Sequence, residues 1–88
     1  MEIKVFLRDG CPYCEGAKQW FAKHNLAVNY TVINDSWERQ RFYDQQSREL
    51  GKRISTVPQI FVDGQHIGGF SDLQVSEFAR LVKNGLVK

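Results

Sequence analysis

The sequence holds only two cysteines, two prolines and one methionine, and no apolar run long enough to span a membrane. Each scarcity excludes something. Two cysteines cannot staple a small secreted scaffold, which needs several bridges. A structural zinc site takes four ligands. Here there is no second Cys-x-x-Cys, and His24 and His66 stand too far apart to form an His-x3–5-His pair. Without about 18 consecutive apolar residues, no membrane-spanning helix is expected. Charge of one sign is also missing. Twelve basic against ten acidic residues leave a net charge of +2, with no cluster of five or more lysines and arginines. That excludes the basic footprint of a nucleic-acid-binding surface. The opening MEIKVFLRDG lacks the basic and apolar regions of a secretory signal. The expectation is a cytoplasmic chain with neither a membrane nor a nucleic-acid partner.

What is present suffices for a core. A hydrophobic content of 42%, with 12% aromatics, argues against disorder. A chain of 88 residues reads as one domain over 1–88, burying about 60–65% of its unfolded surface. Residues 2–7 read as a largely buried strand that breaks at Asp9-Gly10. Pro12 suits the first position of a helix over 12–23, with Cys14, Ala17 and Phe21 on one face and His24-Asn25 as its stop. Val28, Tyr30 and Val32 alternate in a strand over 28–33. Asp35 with Glu38 opens a helix over 36–50 that is poorly amphipathic, its apolar residues being Trp37, Phe42, Tyr43 and Leu50, and Gly51 closes it. Residues 59–62 and 65–67 flank Asp63-Gly64, a strong hairpin signal. After Gly68-Gly69, Ser71 with Gln74 is expected to cap one helix with Phe78, Leu81 and Val82 on its core face and Gly85 at its end. The order βαβ then αββα predicts an α/β protein with a mixed four-stranded sheet flanked by three helices, the thioredoxin-like architecture.

Cys11-Pro12-Tyr13-Cys14 falls where a strand ends and a helix begins. Cys11 is placed as the N-cap, its sulfur facing unpaired N–H groups, and Cys14 one turn on as the more buried, resolving thiol. The spacing predicts that Cys11 ionises below neutrality. A drop of about three units from about 8.5 requires about 4 kcal/mol. A helix dipole supplies about 0.3–1 kcal/mol, or about 2 when partly buried. Hydrogen bonds from the Tyr13 and Cys14 N–H groups, at about 1.5–3 kcal/mol each, are expected to supply the rest. Arg8 would add a smaller, screened contribution. Low basicity populates the thiolate and makes it a good leaving group in the next exchange.

CPYC at 11–14, TVPQIFVDGQHIGG at 56–69 and the following Phe70-Ser71-Asp72 resemble the small dithiol glutaredoxins of bacteria and their phages. The resemblance spans nearly the whole chain and is weakest over the middle helix. It implies glutathione-dependent thiol–disulfide exchange with Cys11 as nucleophile and Cys14 as resolving thiol. Glutathione is then the electron donor, with no bound cofactor and no metal. It also implies that Thr56, Val57 and a cis Pro58 receive the cysteinyl part of glutathione, that Gly68-Gly69, Phe70, Ser71 and Asp72 receive the γ-glutamyl part, and that Arg8 and Tyr13 contact the remainder. Implied partners are disulfide-containing or glutathionylated proteins, ribonucleotide reductase among them, served by a monomer. Two other readings stay open on the residues. A thioredoxin-like reductase would carry Trp-Cys-Gly-Pro-Cys and a potential near about −270 mV rather than about −200 to −230 mV. An iron–sulfur carrier would ordinarily lack Pro12 and the resolving Cys14. The surface around Trp37, Arg39, Arg41, Lys52 and Arg53 carries no interpretable motif.

Overall fold

In the computed structural model, which describes residues 1–86, β-branched and aromatic side chains make Ile3–Leu7 the strand β1, alternately buried and outward. Helix α1 spans Pro12–Lys23 with Cys14, Ala17 and Phe21 buried on one face, as their spacing requires. Asn25 ends it with φ of 57°, a left-handed conformation asparagine tolerates. Strand β2, Asn29–Val32, is shorter than its alternation predicts, and none of its residues is buried, because it lies at the sheet edge. Helix α2, Ser36–Leu50, matches its sequence signals at both ends: the Asp35 carboxylate accepts from Glu38 N–H, and Gly51 adopts φ of 69°. Strands β3, Gln59–Val62, and β4, Gln65–Gly68, are joined by Asp63 and Gly64, both at positive φ.

The sheet order is β2-β1-β3-β4, with β1 parallel to β2 and antiparallel to β3. Val5 stands between Tyr30 and Ile60. One face of the sheet carries Ile3, Val5, Leu7 and Ile60 against Phe21, Leu73, Phe78 and Val82. The other carries Phe6 and Phe61, with the Phe42 ring of α2 4.6 Å from Phe6. Among the described residues, no helix is long and apolar enough to cross a membrane.

The chain end departs from the expected single helix. It forms α3, Phe70–Gln74, and α4, Glu77–Lys83, so that four helices flank the sheet rather than three. Ser76 makes the break: its hydroxyl donates to Leu73 C=O (2.7 Å) and accepts from Ala79 N–H (3.0 Å), ending one helix while capping the next. The expected Ser71–Gln74 cap is likewise displaced. Gly69 is the N-cap of α3, and Asp72, not Ser71, reaches back to it.

Candidate active site

The two cysteines lie at the junction of β1 and α1, across from the segment entering β3. Cys11 is the N-cap of α1, as its place before Pro12 predicts. Its Sγ accepts from Cys14 N–H at 3.3 Å, and its thiol donates to Val57 C=O at 3.7 Å. Of the two amides expected on this sulfur, only that of Cys14, at the third helical position, is found. Cys11 is also less open than an attacking N-cap residue was expected to be, with 4% of its surface exposed against none for Cys14. Val57, itself buried, bonds it and belongs with it to the shared core cluster. Both sulfurs are free thiols.

Burial, reinforced by the hydrogen bond with Cys11, pushes the Cys14 thiol up to about 11, against a smaller opposing pull from the Arg8 backbone and guanidinium. Cys14 is therefore protonated at neutral pH. The two sulfurs are unequal in position, Cys11 capping the helix and Cys14 wholly buried one turn on.

Beside Cys11 lies a groove of about 220 Å³ lined by Tyr13, Thr56, Val57, Pro58, Gly69, Phe70, Ser71 and Asp72. The structure thus brings together eight of the sequence-nominated binding residues; Gly68 lines the neighbouring cavity instead, and the Arg8 guanidinium bonds the Asp9 carbonyl at 3.3 Å. The Val57–Pro58 peptide is cis. Tyr13 projects over the groove with 65% of its surface exposed. Close packing shapes the floor: a Cβ on Gly16 of α1 would stand 2.7 Å from the Phe70 ring. At Gly68, φ of 120° and the adjacent Asp72 carboxylate leave no room for a side chain. Asp72 Oδ2 accepts from Gly69 N–H at 2.9 Å, which fixes the carboxylate at the groove's end.

A neighbouring cavity of about 280 Å³ shares Thr56, Gly69 and Asp72 with this groove and is lined further by Lys52, Arg53, Gln59 and His66. Gln59 and His66 escaped the sequence reading. The available signal was a glutamine opening a strand of otherwise apolar residues. Arg39, read as open surface, is instead tied to the Ile33 and Asn34 carbonyls at 3.1 and 3.2 Å. Among the described residues, no three His, Cys, Asp or Glu side chains gather as a metal-binding group.

The glutaredoxin family model matches residues 3–67 of the chain. Glutaredoxin 1 of Escherichia coli (strain K12) is 40% identical over 89 residues, covering 98% of each chain. The structure of Francisella tularensis glutaredoxin 1 superposes with a TM-score of 0.82 at 43% identity, covering 99% of this chain and 98% of that one. A buckwheat glutaredoxin–glutathione complex superposes at 0.72 with 22% identity, covering 97% of this chain and 71% of that one, a likeness of fold alone.

Proposed function

The chain belongs to the glutaredoxin family and is a thiol–disulfide oxidoreductase, and on that premise we propose that it uses glutathione to reduce protein disulfides and glutathione mixed disulfides. The observation that carries the reading is the position of Cys11 Sγ: it sits between Cys14 N–H and the C=O of Val57, which lines a groove that holds eight of the nominated residues. The family's reductant is glutathione, and the buckwheat protein of the same fold is a glutathione complex.

The chemistry follows from the unequal sulfurs. The Cys11 thiolate attacks one sulfur of the substrate disulfide and expels the other as a thiolate, leaving a mixed disulfide on Cys11. Cys14 then gives its proton to the departing group as its sulfur attacks Cys11, releasing the second substrate thiol and closing a Cys11–Cys14 disulfide. Two glutathione molecules reduce that bond in two exchanges and leave as glutathione disulfide, so two electrons pass from donor to substrate. The groove orients glutathione so that its sulfur meets Cys11, with Thr56, Val57 and Pro58 beside the cysteinyl part and Gly69, Phe70, Ser71 and Asp72 beside the γ-glutamyl part. Tyr13 and Arg8 complete the proposed site. The protein substrates we propose are cytoplasmic enzymes with catalytic disulfides, ribonucleotide reductase among them, each met by a single copy of this chain.

The test is an assay coupled to glutathione reductase and NADPH on a small glutathione mixed disulfide. Wild type and Cys14→Ser are expected to turn over, because external glutathione can resolve the Cys11 adduct, while Cys11→Ser is expected to be inactive. On a protein disulfide, Cys14→Ser is expected to fail as well. A wild type that gives no glutathione-dependent rate overturns the proposal.

A further inference from the structure

Gln59 is the one buried polar residue among the described residues, with 4% of its surface exposed. Its side-chain amide bridges Thr56 and His66, with a longer contact of Nε2 to the Thr56 hydroxyl at 3.5 Å. Nε2 donates to Thr56 C=O at 3.0 Å, and Oε1 faces His66 Nε2 at 2.7 Å. The Thr56 carbonyl can only accept, so the amide must present its NH2 there and its oxygen to His66. His66 must then carry its proton on Nε2. Burial and the Lys52 ammonium hold His66 below its ordinary value, against a smaller opposing influence of Asp72, so the ring is neutral at pH 7 and a single tautomer serves the chain of bonds.

The anchor falls on a peptide plane that matters. In a trans peptide the C=O of one residue and the N–H of the next point in opposite directions. Fixing the Thr56 carbonyl toward Gln59, on the side of the sheet where His66 stacks against Phe61, therefore turns the Val57 N–H the other way. Val57 lines the groove beside Cys11, and its N–H has no partner among the described residues. Without the anchor, that plane could rotate and turn a carbonyl where a donor is needed.

We infer, on the reading of this groove as a glutathione site, that Gln59 and His66 are positioning residues: the His66–Gln59–Thr56 hydrogen-bond chain locks the Thr56–Val57 peptide so that Val57 N–H is held ready for a carbonyl of the bound tripeptide. Neither side chain touches the reacting sulfurs, so their effect falls on binding rather than on exchange.

Gln59→Glu preserves the side chain's size but sets an acceptor against the Thr56 carbonyl. The expected result is a KM for a glutathione mixed disulfide raised about five- to tenfold, the worth of about one hydrogen bond, with kcat held within about twofold. His66→Leu is expected to move KM the same way by a smaller factor, and His66→Gln, which restores an N–H donor, to recover part of that loss. In amide proton–nitrogen spectra, the Val57 resonance is expected to shift on titration of the wild type with glutathione and to shift less in both impaired variants. The His66 pair provides the reading if Gln59→Glu does not fold. Folded variants with unchanged KM, or with kcat and kcat/KM falling together and no rescue by His66→Gln, overturn the positioning role. A wild type that does not saturate with the mixed disulfide overturns the glutathione reading itself.

Discussion

At the scale of single residues, the proposed division of labour between two sulfurs three positions apart rests on the burial of Cys14. Cys14 is buried against the core and hydrogen-bonded to Cys11, and this pushes its thiol up from the ordinary 9.0 to about 11. Burial disfavours the charged form of an acid, so the folded chain keeps this proton over a range where the unfolded chain has lost it. The stability this contributes is fully present below pH 9.0 and is lost as pH rises toward about 11. Denaturation series from about pH 8 to about pH 11 are expected to show wild type losing stability relative to Cys14→Ser over that interval. Alkylation near neutral pH, mapped by mass spectrometry, is expected to label Cys11 and spare Cys14, since the thiolate is the reacting species. Equal labelling would refute the inequality on which the two-step exchange depends.

At the scale of elements, α3 is five residues long and cannot stand on propensity. It is held by Leu73 in the core, by the Asp72 bond to Gly69 N–H, and by the Phe70 ring seated against Gly16 of α1. The same carboxylate that anchors the helix faces the proposed γ-glutamyl end of the groove, and two substitutions separate the roles. Asp72→Ala removes both cap and charge and is expected to cost about 0.5–2 kcal/mol of stability while raising KM for glutathione substrates. Asp72→Asn keeps an oxygen for Gly69 N–H and is expected to retain most of that stability yet still raise KM, because the charge that pairs with an α-amino group is gone. Unchanged KM in both variants would leave Asp72 a cap and nothing more. Helix α2 is attached differently: Ser47 Oγ accepts from Ile54 N–H at 2.8 Å and donates to Ile54 C=O at 3.3 Å, tying the helix to the chain that leads into the groove.

At the scale of the molecule, the sheet divides two unequal layers. Leu7 and Val5 are wholly buried on the face covered by α1, α3 and α4, whereas α2 buries no residue fully and its Trp37 is 79% exposed. Chemical denaturation is expected to register Leu7→Ala as a loss of about 2–5 kcal/mol, and Trp37→Ala as a change within about 0.5 kcal/mol. The same contrast separates what was legible in the residues from what was not. Asp35, Gly51, Pro12 and Asp63-Gly64 set their boundaries through bonds and backbone conformations within a few residues, so α2, the start of α1 and the hairpin could be read directly. The cysteine pair at a helix mouth was legible for the same reason. The break at Ser76 was not, because its hydroxyl could continue one helix or, as it does, close one at Leu73 and cap the next at Ala79. Nor could local sequence place Val57 against Cys11, 46 positions away, or commit Gln59 to Thr56 and His66. By itself the sequence determined the strands, the first two helices, the place of the cysteine pair and the family they belong to, since these depend on short-range chemistry. Only the tertiary structure decided which amide reaches the sulfur, which side chain caps the last turns and which buried glutamine steadies the groove, because each depends on chain segments that meet only when the core closes.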